Sequence, residues 1–294
     1  MRKKEVKNNI SLLCLIIFIL LAALAVVQDL GVLKIRGSWV IAIYALIFVL
    51  PMWIYLKAGK KKTAPSLSLR SFPVRYLPHI IVLSIAICMV CGALNVVGYT
   101  VFHMFKDADN PTAMVSFGGS PAMLALTMVV LPAVTEEFLF RGLALGEYEC
   151  CGTTRAVLVT SLIFALFHAN PIHLLSLFVA GICYAVMTKL FSSVWPAVIA
   201  HLLNNAAALL LYTHSGYVTF ILSDTIFVIF AIIAIFLVLA LALKMLEKIV
   251  DVRGKNGKLR FVTPSSRKSV WSFYLIIFAI GCIAKMVYTY VLGG

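Results

Sequence analysis

The sequence predicts an all-α protein, a polytopic transmembrane helical bundle of about nine spans with a cytoplasmic N-terminus. Composition is the first reason, because 63% of the 294 residues are hydrophobic and only 12% are charged. The mean hydropathy is +1.05, whereas soluble domains contain about 25% charged residues. The other two reasons are the long apolar runs and the uneven placement of basic residues between them.

Nine apolar runs are close to the length of about 20 residues that a helix needs to cross a bilayer. They fall at residues 10–27, 38–56, 77–99, 120–146, 154–169, 172–191, 194–212, 224–246 and 270–291. The prediction is therefore eight to nine spans. The first run has the basic start and small-residue tail of a signal peptide, but its length favours an uncleaved helix.

The connecting segments predict the orientation. Residues 57–75 contain basic residues and no acidic one, and residues 244–268 contain eight basic residues against two acidic ones. By contrast, Asp107 and Asp109 lie in the segment between the third and fourth runs. Basic segments stay in the cytoplasm, which places the N-terminus there too. The same distribution accounts for the net charge of +14, so we expect membrane lipids rather than nucleic acid as partners.

Three charged residues interrupt the fourth run, in the stretch VVLPAVTEEFLFRGLAL at 129–145. Each charge costs about 2.5–3.5 kcal/mol at the bilayer centre, on scales where a leucine returns about 0.5 kcal/mol. Glu137 and Arg141 are four residues apart and can form an ion pair on one helix face, in a packing or a functional role. Glu136 lies about 100° around the helix, away from that cation. Glu136 is therefore the better candidate for chemistry. Pro132 is expected to kink the helix nearby.

A histidine in the fifth run lies at the depth of Glu136. The stretch FALFHAN at 164–170 places His168 just before Asn170-Pro171, which breaks the helix. If the fourth and fifth helices form an antiparallel hairpin with its turn at 150–153, His168 and Glu136 reach nearly the same depth. His173, beyond the break, is held as an accessory group.

The seventh run supplies a second histidine and an amide. In the stretch HLLNN at 201–205, His201 and Asn205 share one helix face, whereas Asn204 points elsewhere. His201 lies roughly 13 Å from the preceding turn, less deep than Glu136. Either the helices tilt, or the fifth helix stops within the membrane. The remaining polar residues of this kind, His79, His103, His214 and Asp224, are interpreted as packing, loop or capping groups.

These residues are compatible with two kinds of hydrolytic site. Glu136 and His168 can activate a water while His201 and Asn205 donate hydrogen bonds to an oxyanion. Alternatively, His168, His201 and Glu136 can bind zinc with one position open for water. Because the three come from different helices and no HExxH pair is present, we favour activation without metal. Zinc stays open as a cofactor.

Three motifs resemble the CAAX prenyl endopeptidase and bacteriocin-processing family of intramembrane proteases, also called the Abi or self-immunity family. The motifs are EExxxR at 136–141, FxxxH at 164–168 and HxxxN at 201–205. The resemblance covers about residues 115–212. We therefore predict transmembrane helices without family signal at 1–114, a catalytic core at 115–212, and C-terminal helices with a basic cytoplasmic segment at 213–294.

The resemblance implies an intramembrane endopeptidase that hydrolyses a membrane-associated or lipid-modified peptide or protein. In that role Glu136 activates the water with His168, and His201 and Asn205 stabilise the oxyanion. Glu137 and Arg141 match supporting positions. The alternative is a non-catalytic membrane scaffold or bacteriocin-immunity protein of the same fold. A proton-coupled transporter is disfavoured, since no repeated pair of broken helices is present. Small size and the lack of an organellar retention signal predict a bacterial plasma-membrane protein.

Overall fold

The computed structural model describes residues 2–30, 39–104, 120–214, 225–255, 262 and 269–292. Within these ranges the chain forms helices and no strand, which confirms the all-α prediction. Three features of the sequence lie outside them: the segment with Asp107 and Asp109, the capping candidate Asp224, and most of the basic segment at 256–268.

Nine long helices follow one another in the described residues. Their bounds are α1 Arg2–Asp29, α2 Trp39–Ala58, α3 Leu77–His103, α4 Pro121–Cys151, α5 Thr153–Phe167, α6 Leu174–Phe191, α7 Trp195–Thr213, α8 Thr225–Lys255 and α9 Phe273–Tyr290. Eight of them are long and apolar enough to cross a membrane, and α5, with 15 residues, is the shorter one. The predicted polytopic bundle is confirmed.

Helices α2 and α4 change to π-helical geometry just before a proline. The π-helical turns are Ala45–Val49 before Pro51 and Leu126–Val130 before Pro132. Proline has no N–H and its ring displaces an earlier carbonyl, so a wider turn accommodates it. The disturbance predicted at Pro132 thus takes the form of a π-helical turn. A further π-helical segment, Phe138–Ala144, directly follows the two glutamates of α4, and such segments are frequent at functional sites.

Several connecting segments meet at one end of the bundle, here called the loop end. The loop end consists of residues 59–76, 149–153, 192–194 and 262. Val194 donates its backbone N–H to Ser68 at 3.0 Å, and Thr153 donates to Val262 at 3.0 Å. Parts of both basic segments therefore lie at the same end, as the predicted topology requires. The side of the membrane that the loop end faces stays a prediction.

One buried apolar cluster receives side chains from all nine described helices. The three predicted parts of the chain therefore share a core, and their boundaries stay a prediction. Helix α8 packs on α3 and turns Phe230, Phe236 and Leu237 outward, with 64%, 69% and 66% of each residue exposed. Apolar surface of this extent is typical of contact with lipid. The protein is an integral membrane protein.

Candidate active site

The ion pair predicted within α4 is present and fully buried. Nη1 of Arg141 donates to Oε1 of Glu137 at 2.9 Å, and both side chains are 0% exposed. Nη2 of Arg141 donates to the carbonyl of Gly181 on α6 at 3.0 Å. A Cβ at Gly181 would lie 3.3 Å from this Nη2 and 3.0 Å from Cα of Ser161. The glycine therefore permits α4, α5 and α6 to approach closely around the guanidinium.

Glu137 also accepts a hydrogen bond from helix α7. Nδ1 of His201 lies 3.0 Å from the same Oε1 atom that Arg141 contacts. Because a carboxylate accepts, Nδ1 is the donor, and Nε2 is the ring nitrogen left for other contacts. The ring of His201 stacks on Tyr184 with 5.2 Å between centroids and 19° between planes. Glu137 and Tyr184 together fix the orientation of His201.

Glu136 faces a different histidine. Its Oε2 atom lies 3.6 Å from Nε2 of His168. Nδ1 of His168 donates to the carbonyl of Phe164 at 2.8 Å, since a carbonyl can only accept. This contact directs Nε2 towards Glu136. A separation of 3.6 Å is too long for a direct hydrogen bond but short enough for one water to contact both atoms. Oε2 of Glu136 is buried and has no hydrogen-bond partner among the described residues.

The end of α5 positions His168 at the site. Helix α5 stops at Phe167 and the chain reverses over residues 168–173. Ala169 takes a φ of 47° in this reversal, and Oδ1 of Asn170 accepts from the backbone N–H of Ile172 and of His173 at 3.0 and 3.3 Å. Helix α5 therefore ends just before the predicted break at Asn170-Pro171, and its depth in the membrane stays a prediction.

Phe164, the first residue of the FxxxH motif, contacts both glutamate–histidine pairs. The guanidinium of Arg141 lies 4.4 Å from the centre of its ring, a cation–π distance. The ring meets His168 at 4.8 Å and His201 at 5.7 Å, edge to face in both cases. An aromatic residue at this position thus packs the two pairs against each other.

A cavity of about 360 Å³ adjoins these groups and is lined by His168, His201 and Asn205. The structure therefore brings three of the four predicted catalytic residues to one space, and Glu136 adjoins it through His168. Asn204 lines the same cavity. The prediction that Asn204 points elsewhere is wrong, because the cavity spans more of the surface of α7 than the single face shared by His201 and Asn205.

Asn95 and Ser176 line this cavity and were not predicted from the sequence. Oδ1 of Asn95, on α3, accepts from Nδ1 of His173 at 2.9 Å and from the hydroxyl of Ser176. His173, held as an accessory group, therefore has a fixed ring orientation at the cavity wall. The signal that could have found Asn95 is its position as an isolated amide in an apolar run, since such groups are costly in a membrane.

Zinc binding by His168, His201 and Glu136 stays a prediction. Within the described ranges, no three His, Cys, Asp or Glu side chains are grouped as a metal site requires. Nδ1 of His201 contacts Glu137 and Nδ1 of His168 contacts the carbonyl of Phe164, which leaves Nε2 of each ring as the nitrogen that could bind a metal.

Residues 118–207 match the model of the Rce1-like family, described as type II CAAX prenyl endopeptidase Rce1-like. The matched segment contains all three motifs and both glutamate–histidine pairs. The family resemblance is confirmed.

A curated relative supports the Rce1-like match. It is the Bacillus subtilis (strain 168) protein named "Putative membrane peptidase YdiL", which is 29% identical over 116 residues. The aligned part covers 39% of this chain and 47% of the relative, so the chain spans about half the length of that protein. No solved structure matches the chain. At the family level, the Rce1-like match and this relative support a membrane protease.

Proposed function

We propose that this protein is an intramembrane endopeptidase that hydrolyses a peptide bond in a membrane-associated or lipid-modified peptide or protein. The observation that supports it best is the pairing of Oε2 of Glu136 with Nε2 of His168 at 3.6 Å, beside the cavity that His201 and Asn205 also line. The Rce1-like match over residues 118–207 supports the same reaction class.

Water is the proposed nucleophile. Glu136, as the carboxylate, and the free Nε2 of His168 both accept hydrogen bonds, so a water between them is oriented and loses a proton as it attacks the carbonyl carbon. His168 keeps this role because its Nδ1 is held by the carbonyl of Phe164. The proton taken from water then passes to the leaving amine.

The carbonyl oxygen gains negative charge in the same step. We propose that Asn205, through its amide N–H, and His201 donate hydrogen bonds to it. Glu137 supports the second donor, since its contact with Nδ1 orients the ring of His201 and leaves Nε2 as the nitrogen for the oxyanion. Glu137 is thus a positioning residue, while Glu136 is the catalytic one.

The test is cleavage of a library of membrane-proximal peptides by the purified full-length protein in detergent, with products identified by mass spectrometry. Glu136→Gln should lower the rate about 10²- to 10⁴-fold, the usual contribution of a general base, with an unchanged melting temperature. Glu247→Gln, an exposed carboxylate on α8, is the matched control and should retain full activity. Near-normal turnover by Glu136→Gln would contradict the assignment.

The same assay separates the two mechanisms with and without metal. We expect cleavage to survive dialysis against a chelator, because the three candidate zinc ligands come from different helices and no HExxH pair preorganises them. Stoichiometric zinc in the active protein, with activity lost on chelation and restored by zinc alone, would overturn the metal-free mechanism.

A further inference from the structure

A second cavity, of about 230 Å³, lies at the loop end and is mainly polar. Its lining includes Ser68, Arg70, Gly146 and Ser192 from or near the connecting segments, and Thr188 and Lys189 from the end of α6. Arg141 of α4 also lines it. The same residue therefore borders this cavity and contacts the carboxylate that holds His201.

The charges around this cavity favour an anion. Its lining contains Arg70, Arg141 and Lys189 against one carboxylate, Glu149. Lys189 contacts Glu149, and the charge of Arg141 is balanced by Glu137. The positive charge of Arg70 remains as the excess, and the adjoining segment 57–75 contains no acidic residue. An anion in this cavity would gain from that potential.

Arg141, which lines this cavity, also has a donor nitrogen without an acceptor. Two nitrogens of Arg141 are used, Nη1 for Glu137 and Nη2 for Gly181. Nε has no hydrogen-bond partner in the described part of the chain. The atom is buried, and the whole residue is only 1% exposed. Buried polar groups of folded proteins are normally paired. An oxygen atom of a ligand in this cavity is suited to pair with it.

We propose that this cavity binds a phosphate group, held by Arg70 and Lys189 and completed by Nε of Arg141. Guanidinium groups match the geometry of phosphate oxygens, and such charge-assisted bonds are among the stronger ones in proteins. The group is either the headgroup of a lipid in the adjoining leaflet or a soluble phosphate, since both offer the same oxygens. This inference goes beyond the proposed peptidase function and does not depend on it.

The test measures binding to the purified full-length protein in a neutral detergent. The probes are inorganic phosphate at constant ionic strength, dioctanoyl phosphatidic acid, and dioctanoylglycerol as the matched lipid without phosphate. The variants are Arg70→Gln and, as a control, Arg75→Gln, which removes the same charge from the same exposed segment but outside the cavity. Gly146→Leu fills the cavity without changing charge, and a Cβ at Gly146 meets no atom within 4 Å.

We expect saturable binding of a phosphate-bearing probe to the unsubstituted protein. Arg70→Gln and Gly146→Leu should each weaken this binding about tenfold or more, whereas Arg75→Gln should leave it unchanged. Tight binding of phosphatidic acid alone identifies a lipid headgroup, and equal binding of inorganic phosphate identifies a soluble ligand. Three results would overturn the proposal: equal weakening by both arginine variants, equal binding of dioctanoylglycerol, or no saturable binding of either phosphate probe. Melting temperatures without ligand verify that each variant is folded.

Discussion

Glu136 and Glu137 are neighbours in sequence, yet their side chains contact different histidines. Glu137 accepts from Arg141 and His201, so its charge is balanced and its position is fixed. Both glutamates keep a buried Oε2 atom without a hydrogen-bond partner in the described ranges, but Glu136 has only His168 beside it, at 3.6 Å. At the residue scale, this contrast supports the proposal that Glu137 orients a neighbour while Glu136 transfers a proton.

Arg141→Ala should destabilise the protein strongly. The substitution leaves Glu137 as a buried carboxylate with only His201 as partner, and breaking a buried pair costs about 3–5 kcal/mol. It also removes the cation that packs on Phe164. Thermal unfolding in detergent is the measurement, with exposed Arg75→Ala as the control. A variant with normal expression and melting temperature would show that the pair is not essential to the fold.

At this scale the sequence predicts contacts within one helix well and contacts between helices only in part. The spacing of Glu137 and Arg141 was sufficient to predict their ion pair, because residues four apart share a helix face. The contact between Glu137 and His201 depends on how α4 and α7 rotate against each other, which periodicity does not encode. Asn95 was missed because it lies on a helix without family motifs.

At the scale of elements, the position of the 168–173 reversal depends on a close contact with α3. A Cβ added at Gly98 would lie 2.1 Å from the carbonyl oxygen of Ile172. The oxygen belongs to the backbone of Ile172, so no side-chain rotation can relieve the overlap. The absence of a side chain at Gly98 therefore sets where the reversal, with His168 and His173, can lie.

Gly98→Ala should displace this reversal and lower both stability and cleavage. Overpacking of this kind costs about 1–3 kcal/mol, and the shift separates His168 from Glu136. Gly92→Ala on the same helix is the control, because a Cβ there meets nothing within 4 Å. The measurements are the cleavage rate and the melting temperature of both variants, and only Gly98→Ala should lower them. Equal behaviour of the two would argue against a positioning role for Gly98.

For the whole molecule, the sequence was sufficient to predict a helical bundle, because hydropathy reports directly on lipid and aqueous surroundings. The stop of α5 within the bundle was left open. Breaking residues such as Asn170-Pro171 mark where a helix can end, but the depth of that end depends on packing against α3 and α6.

The predicted orientation can be tested with one cysteine. Lys60 is exposed at the loop end, and the topology puts it in the cytoplasm. Lys60→Cys should react with a membrane-impermeant maleimide only after cells are permeabilised, in comparison with the unsubstituted chain. Additional labelling in intact cells would show that the loop end faces the outside of the cell and that the predicted orientation is wrong.

Helix α5 has a consequence for the surrounding lipid. Its 15 residues extend about 22 Å, about 8 Å less than the usual hydrocarbon thickness. Leu158 and Leu162 are 44% and 40% exposed on its outer face, so lipid lies directly beside it. Past its end, the polar reversal at 168–173 is only partly exposed, and a locally thinner bilayer would bring it to the aqueous boundary at a cost of a fraction of a kcal/mol per Å.

Membrane thickness should therefore control hydrolysis. In proteoliposomes of phosphatidylcholine with 14-carbon chains, a thin bilayer leaves the reversal near the aqueous boundary, and water reaches Glu136 readily. With 22-carbon chains we expect a severalfold lower cleavage rate at equal protein incorporation. Rates that do not change with chain length would show that the bundle shields the end of α5 from lipid. If the dependence is found, the peptidase is most active where the membrane is thinnest, and lipid composition becomes a means of directing it to particular membrane regions.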